Sequence, residues 1–216
     1  MAATGKRRVA ILISGRGSNM VAILEAARDP AYPAEIVLVL SNRPDAAGLA
    51  RAAEAGIPTR VVDHTAFPNR ATFDAALEAE LRAARVELVC LAGFMRILTP
   101  GFVAGWAGRM INIHPSLLPL FKGTHTHRQA LDAGVRLHGC TVHFVVPELD
   151  AGPIIAQAAI PVRQDDDPDS LADRVIVQER RLYPPVLALV ASGRARLEGE
   201  RVVISEEASE GVLFSV

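Results

Sequence analysis

The chain has 216 residues, of which 50% are hydrophobic, and its 23 lysines and arginines nearly balance its 24 aspartates and glutamates, for a net charge of −1. Such a balance creates no field that would steer nucleic acid or an anionic membrane, so neither is expected as a partner. The apolar content is enough for one α/β domain with a sizeable core.

Strand-like and helix-like segments alternate along the chain. The sequence predicts strand 9–14, helix 18–28, strand 35–40, helix 46–55, strand 59–62, helix 72–84, strands 87–92 and 109–114, helix 127–133, strands 140–146 and 154–162, and helix 170–190. The last helix is expected to start from Ser170 as its N-cap, and Pro184-Pro185 could kink it. This alternation predicts an α/β fold with a doubly wound, mostly parallel sheet. A single domain over residues 1–216 is expected, because no repeat or linker interrupts the pattern.

The cysteines and the N-terminus indicate a cytoplasmic protein. Cys90 and Cys140 lie in apolar runs, without the spacing of a disulfide framework or a metal site, which favours buried, reduced thiols. The apolar run that follows the basic N-terminus is shorter than a signal sequence requires, and no segment approaches the length of a membrane span.

Asn112 and His114 end a predicted strand and are the first candidates for chemistry. Side chains in a strand alternate between faces, so these two residues point the same way. Pro115 cannot donate to a ladder and favours extended backbone at His114, so the strand ends there. Open α/β sheets bind their ligands at this carboxyl end. The alternative is that neighbouring backbone satisfies both side chains.

The turn after the first strand reads Ser14-Gly15-Arg16-Gly17-Ser18-Asn19 and leads into a helix. Glycines allow close approach of the backbone, and a helix N-terminus offers free N–H groups to an anion. A dinucleotide fingerprint would have glycine in place of Met20 and an acid at the end of the second strand, where this chain has Ser41-Asn42-Arg43-Pro44. Arg43 leaves a 2′-phosphorylated cofactor open as an alternative. A phosphate monoester fits better. The alternative is a tight turn that Ser18 caps without any ligand.

Two further segments follow buried strands. The run 92–98 lies at the same edge of the sheet, although its apolar residues could equally belong to the core. Asp150 precedes Gly152-Pro153, which predicts a tight, partly sheltered turn. A carboxylate beside an imidazole stabilises its cation and fixes its tautomer. The sequence does not show whether Asp150 and His114 meet.

Five of the six histidines lie between residues 114 and 143. A zinc site was weighed for this reason, but no HExxH motif or Cys/His ligand spacing is present. No metal site is therefore assigned, and the role of His125 and His127 is left open.

These motifs together identify a family. The chain resembles the phosphoribosylglycinamide formyltransferases in ISGRGSN at 13–19, LAGFMRIL at 91–98, INIHPSLLP at 111–119, GTHTHRQAL at 123–131 and ELDAGPI at 148–154. The resemblance implies a Rossmann-like formyltransferase fold. It further implies a phosphate-binding half over about residues 8–100, a folate-binding and catalytic half over about 101–190, and a variable tail over 192–216.

The resemblance also assigns roles to individual residues. The implied catalytic residues are Asn112, His114 and Asp150. The implied binding residues for the ribonucleotide are Gly17, Ser18, Asn19 and Glu179, and those for the folate are Arg70, Met95, Arg96, Ile97, Leu98 and Asn112.

The reaction that the resemblance implies is formyl transfer from 10-formyltetrahydrofolate to the amine of phosphoribosylglycinamide in purine synthesis. Asn112 and a protonated His114 would stabilise the oxyanion, and Asp150 would keep His114 charged and relay a proton through water. The implied partners are these two small molecules, with the folate as cosubstrate and without a bound cofactor or metal. The oligomeric state is not fixed by the sequence, and a homodimer is one option.

Three other functions share part of these sequence features. Transfer-RNA formyltransferases carry a further RNA-binding domain, for which 216 residues leave no room. Formyltetrahydrofolate hydrolases share most of the motifs but usually carry an N-terminal regulatory domain, whereas the first strand here begins at about residue 8. A nucleotide-binding Rossmann module or dehydrogenase would rest on the glycine turn alone and leave Asn112, His114 and Asp150 unexplained.

Overall fold

The computed structural model of the protein describes residues 5–205. Its main sheet has seven strands in the order β3-β2-β1-β4-β5-β6-β7, and β8 and β9 form a separate two-stranded sheet. The strands are β1 (Arg7–Ile13), β2 (Ala34–Ser41), β3 (Thr59–Val61), β4 (Leu88–Leu91), β5 (Met110–His114), β6 (Leu137–Phe144), β7 (Ile154–Pro161), β8 (Ala195–Glu198) and β9 (Arg201–Ile204). The helices are α1 (Ser18–Ala26), α2 (Gly48–Glu54), α3 (Arg70–Ala83), α4 (Pro100–Gly105), α5 (Thr126–Asp132) and α6 (Pro168–Ala191), with a short 3-10 helix at His64–Ala66.

The pairing of the strands explains where a ligand can bind. Strands β1 to β5 pair in parallel, whereas β6 runs antiparallel to both β5 and β7. The predicted doubly wound, mostly parallel α/β sheet is therefore confirmed. The chain places β2 and β3 on one side of β1, and β4 and β5 on the other. The loops that follow β1 and β4 consequently diverge and leave a crevice at the carboxyl edge of the sheet.

The core covers both faces of this sheet. Alternate residues of β1 pack on opposite faces of the sheet. Val9, Ile11 and Ile13 lie in the layer that contains α1 and α6. Ala10 and Leu12 pack in the opposite layer, with α3 and α4. All five side chains are fully buried. A strand covered on both faces reads as a continuous apolar run, which is why the sequence predicted β1 well.

Helix α6 differs from its prediction at the N-terminus. Ser170 is not the N-cap; Asp167 is, and its carboxylate accepts the Ser170 N–H at 2.8 Å while the Ser170 hydroxyl accepts the Asp167 N–H at 2.9 Å. This reciprocal capping box lets Pro168 occupy the first helical position, where its missing N–H costs nothing. The helix continues through Pro184 and Pro185 to Ala191.

Two parts of the structure were not predicted. Helix α4 lies between β4 and β5, and the β8–β9 hairpin lies in the segment that was expected to be a variable tail. The tail residues 206–216 and residues 1–4 of the N-terminus lie outside the described range. Between residues 5 and 205, no helix is both long enough and apolar enough to cross a bilayer.

Candidate active site

A cleft of about 910 Å³ opens at the carboxyl edge of the sheet, at the topological switch between β1 and β4. Its walls come from the turn after β1, the segment after β4, the end of β5, the loops that flank α5, and the segment between β6 and β7. Of the residues predicted for the site, those that line the cleft are Gly17, Ser18, Asn19, Met95, Arg96, Ile97, Leu98, Asn112, His114, Asp150 and Glu179. Arg70 is not among them: it is the exposed first residue of α3.

The last residues of β5 deliver two polar side chains to this cleft. Asn112 and His114 both line it, as expected from their spacing, while Ile111 belongs to the buried core. His114 is buried and its Nε2 lies 3.0 Å from the carbonyl oxygen of Phe121. Since a carbonyl only accepts, Nε2 carries a proton, and Nδ1 is the nitrogen left for other contacts.

Asp150 approaches that second nitrogen. Its Oδ2 lies 3.5 Å from His114 Nδ1, and both side chains are less than a tenth exposed. The same oxygen accepts the Gly123 N–H at 2.8 Å, so the carboxylate also ties the segment after β6 to the loop before α5. Asp150 itself has a left-handed backbone, with φ of 48°. The sequence left open whether Asp150 and His114 meet; the structure places them side by side.

His143 is a site residue that the sequence did not single out. It lies directly opposite Asn112 in the antiparallel β5–β6 pair, and its Nε2 is 3.2 Å from Asn112 Nδ2. It also lines the cleft, 4.0 Å from Asp150 Oδ1. The available signal was the alternation of polar Thr141 and His143 with apolar residues, but the register with β5 is not visible in one sequence.

The turn after β1 presents a helix N-terminus to the cleft. Gly17 is the N-cap of α1, with a left-handed φ of 69°, and no side chain caps the helix. The expected alternative, Ser18 as cap, is wrong because Ser18 is already the first helical residue. Val21 donates the first helical hydrogen bond, to the Gly17 carbonyl at 3.0 Å, so the N–H groups of Ser18, Asn19 and Met20 precede the ladder. Such groups suit an anion.

Asn19 and Glu179 form a buried, hydrogen-bonded pair beside this turn. Asn19 Nδ2 donates to Glu179 Oε2 at 2.6 Å, although α1 and α6 are distant in the chain. Burial raises the pKa of Glu179 above its usual range, against the opposing effect of the Asn19 hydrogen bond. The Asn19 Oδ1 atom is buried and accepts no hydrogen bond from the described residues. The pair therefore offers unused acceptors to the hydroxyl or amine groups of a ligand.

The segment after β4 forms an apolar wall. The side chains of Met95 and Ile97 are 71% and 57% exposed in the cleft, which is unusual for such residues and typical of a binding surface. Ala92 and Leu98 are buried in the core and Phe94 packs against it, so the core alternative holds for these residues and not for Met95 and Ile97. The guanidinium of Arg96 lies 5.9 Å from the centroid of the Phe73 ring.

A short polar chain holds this wall against the turn. The Met95 N–H donates to Ser14 Oγ at 2.7 Å, and the Ser14 hydroxyl donates to Asn42 Oδ1 at 2.5 Å. Asn42 stands where a dinucleotide-binding fold would carry its ribose-binding acid. Because the Asn42 side chain is hydrogen-bonded to Ser14, it helps to position the apolar wall and does not serve to bind the ribose of a dinucleotide.

His127, which lines the cleft, pairs with the buried His138. Nδ1 of His127 lies 3.2 Å from Nε2 of His138, with the rings at 88°. One nitrogen must donate and the other accept, so the contact is lost when both rings are protonated. Residues 5–205 contain no group of three or more histidine, cysteine, aspartate or glutamate side chains placed to hold a metal ion.

This pair predicts a pH-dependent stability. Burial, together with the nearby His127 and His114, lowers the pKa of His138 from 6.5 to about 4. Between pH 6.5 and about 4, His138 is protonated in the unfolded chain but neutral in the folded protein. The free energy of unfolding therefore decreases as the pH falls through this range. We expect His138→Gln to remove on the order of 1–3 kcal/mol of the acid-induced loss. Urea unfolding of both proteins at pH 7.5 and 4.5 measures it; identical losses would contradict the assignment.

The comparisons with known proteins agree with the fold. Residues 7–187 match the family described as formyl transferase. The chain belongs to the formyl transferase family.

Within that family the chain is similar to phosphoribosylglycinamide formyltransferases and to a larger purine biosynthetic protein. It is 47% identical to the phosphoribosylglycinamide formyltransferase of Escherichia coli, over 88% of this chain and 89% of that protein. The crystal structure of glycinamide ribonucleotide transformylase 1 from Symbiobacterium toebii superimposes with a TM-score of 0.91 at 46% identity, covering 94% of this chain and 96% of that one. The trifunctional purine biosynthetic protein adenosine-3 of Bos taurus is 53% identical over 89% of this chain, which spans only 19% of that relative's length.

Proposed function

We propose that the protein transfers the formyl group of 10-formyltetrahydrofolate to the amine of phosphoribosylglycinamide, yielding formylglycinamide ribonucleotide and tetrahydrofolate. The observation that carries the proposal is the meeting of Asn112, His114 and Asp150 in one cleft, between an anion-binding turn and an apolar wall. The names of the E. coli and S. toebii relatives support the same substrate.

The chemistry follows from the position of these side chains. The amine of the ribonucleotide attacks the formyl carbon, a new C–N bond forms, and the formyl oxygen takes up negative charge. The Asn112 amide is the donor at the end of β5. Because the two ring nitrogens of His114 face Phe121 and Asp150, a protonated His114 would act through its positive charge, and the two groups together would stabilise the developing oxyanion. Collapse of this intermediate breaks the bond between the formyl carbon and the folate nitrogen.

Proton transfer completes the reaction. The attacking nitrogen must lose a proton, and the departing folate nitrogen must gain one. Asp150 is placed to serve this exchange, directly or through water, because it lies at the cleft and next to His114. Its negative charge also stabilises the His114 cation while the oxyanion exists.

The two ends of the cleft suit the two substrates. The phosphate of the ribonucleotide would bind the N–H groups at Gly17, Ser18 and Asn19, and its sugar would donate to Glu179 and to Asn19 Oδ1. The folate ring system would lie on the Met95–Leu98 wall. Arg70 remains a prediction of the family resemblance, since it lies outside the cleft lining.

The test is the full-length protein with both substrates. Formylglycinamide ribonucleotide and tetrahydrofolate should appear in equal amounts, and only when the ribonucleotide is present. Release of formate and tetrahydrofolate at the same rate without the ribonucleotide would instead establish the hydrolase alternative. Saturable binding of a nicotinamide dinucleotide, followed by its fluorescence, would favour the nucleotide-binding module.

Gly48 provides a test of the phosphate-binding turn. This first residue of α2 donates its N–H to the Gly15 carbonyl at 3.0 Å. A Cβ at position 48 would lie 2.5 Å from Ile13 Cδ1, the end of a flexible side chain, and 3.1 Å from the Gly15 carbonyl oxygen and 3.2 Å from Gly17 Cα, so Gly48→Ala presses on the backbone of the turn. We expect the KM for the ribonucleotide to rise about tenfold or more, with little change in the folate KM.

Gly101→Ala is the matched control, because a Cβ added there in α4 meets nothing within 4 Å. Inorganic phosphate should also compete with the ribonucleotide and not with the folate. Equal changes in both KM values in the Gly48 variant would show that the turn only supports the fold.

A further inference from the structure

The side chain of Asn112 raises a question of orientation. An asparagine carboxamide has nearly the same shape when its oxygen and nitrogen exchange places, yet only the nitrogen can donate to an oxyanion. Asn112 is half-buried at the cleft, and its one side-chain hydrogen bond within residues 5–205 is the contact with His143 at 3.2 Å. His143 is thus the group that can decide which way the amide faces.

The state of His143 follows from its other ring nitrogen. Nδ1 lies 2.9 Å from the Phe144 carbonyl oxygen, which only accepts, so Nδ1 carries the proton. In the neutral ring Nε2 is then a bare acceptor, and it faces Asn112. The amide can meet it with Nδ2 as donor, whereas Oδ1 in that place would oppose the Nε2 lone pair.

The backbone around His143 is built for this arrangement. The β6–β7 register shifts between Val142 and His143, and such a bulge re-aims the side chain beside it. Gly152 packs against the same point: a Cβ there would lie 1.7 Å from the Phe144 carbonyl oxygen and 3.2 Å from His143 Nδ1. The absence of a side chain at position 152 leaves the Phe144 carbonyl free to fix the ring.

We propose that His143 is a positioning residue for formyl transfer. As the neutral Nδ1–H tautomer, it accepts one N–H of the Asn112 carboxamide, and this contact leaves the second N–H of the same nitrogen available to the oxyanion. His143 acts through Asn112 and need not touch the reacting atoms. This inference rests on the proposed function, because it assumes that an oxyanion forms in the cleft.

The surroundings of His143 agree with a neutral ring. Burial lowers its pKa below the usual value, against the opposing effects of the Phe144 carbonyl and of Asp150. The charged groups that face it are Asp150, whose Oδ1 is 4.0 Å from Nε2, and His114, whose positive charge lowers its pKa further. Protonation at low pH would turn Nε2 into a donor and favour the reversed amide.

Two substitutions separate this role from simple packing. His143→Leu fills the position with an apolar side chain and removes the acceptor. We expect kcat to fall roughly 10- to 100-fold, where the upper value is the effect of losing one oxyanion donor. Both KM values should stay within about twofold of those of the parent. His143→Gln restores an acceptor at the same reach without titrating. It should recover most of the kcat and retain activity at lower pH than the parent.

The tautomer itself is measured in the full-length parent by 15N NMR of labelled histidine, with Nδ1 of His143 expected to carry the proton. An Nε2–H tautomer would overturn the proposal even if the Leu variant failed to fold. Equal losses in the Leu and Gln variants, or a Leu variant as active as the parent, would also overturn it. A parent without formyl transfer would overturn the proposed function itself.

Discussion

Replacement of His114 by alanine is expected to leave a folded protein whose kcat is lower by roughly 10²-fold or more, the usual effect of losing one group that stabilises the oxyanion. Asn112→Ala should have a loss of the same order, because both side chains reach the cleft from the end of β5. The KM for the ribonucleotide should change less, since its phosphate would bind at the separate turn after β1.

The measurement is the initial rate of formylglycinamide ribonucleotide formation with both substrates varied. Circular dichroism and the unfolding midpoint establish that the variants fold. His114 is buried, so some loss of stability is expected when its ring is removed. A correctly folded His114→Ala protein with nearly unchanged kcat would end the catalytic assignment.

The parts of the site that could be predicted depend on local rules. Asn112 and His114 share a face because strand side chains alternate, and both lie at the carboxyl edge because a proline ends the strand. The turn at Gly17 lies at the same edge because every parallel strand of the sheet ends there. Sequence spacing is sufficient for each of these statements.

The remaining parts depend on pairing between distant segments. Antiparallel β6 ends beside the start of β5, and Asp150 reaches His114 because the loop that follows β6 returns along the cleft. His143 faces Asn112 because of the β5–β6 register, which one sequence does not reveal. The contact between Asn19 and Glu179 likewise joins two helices far apart in the chain.

Short elements were missed for a different reason. Helix α4 has only six residues, two of them glycine, so it shows no helical periodicity. Its start signal was nevertheless present: Thr99 caps it by accepting the Phe102 N–H, and Pro100 follows at the first turn. In the β8–β9 hairpin, Gly199 has a φ of 61° at the turn, a position that favours glycine.

The second large effect is expected for Asp150→Asn. Asparagine has the size of aspartate, tolerates the left-handed φ of 48°, and can still accept the Gly123 N–H. The substitution therefore keeps the loop in place and removes the negative charge beside His114 and the proton acceptor in the cleft. We expect kcat to fall about 10²- to 10⁴-fold, the range for loss of a positioned acid–base group, with little change in the ribonucleotide KM.

Glu148→Gln is the matched control. Glu148 belongs to the same segment and also lines the cleft, but its side chain is 78% exposed and pairs with Lys122 at 3.6 Å. Its removal takes the same charge from the loop, so a general electrostatic effect would lower kcat in both variants, whereas a specific one lowers it only in Asp150→Asn. Should Asp150→Asn keep its kcat and raise the folate KM instead, Asp150 would act by holding the folate loop, and its part in proton transfer would have to be abandoned.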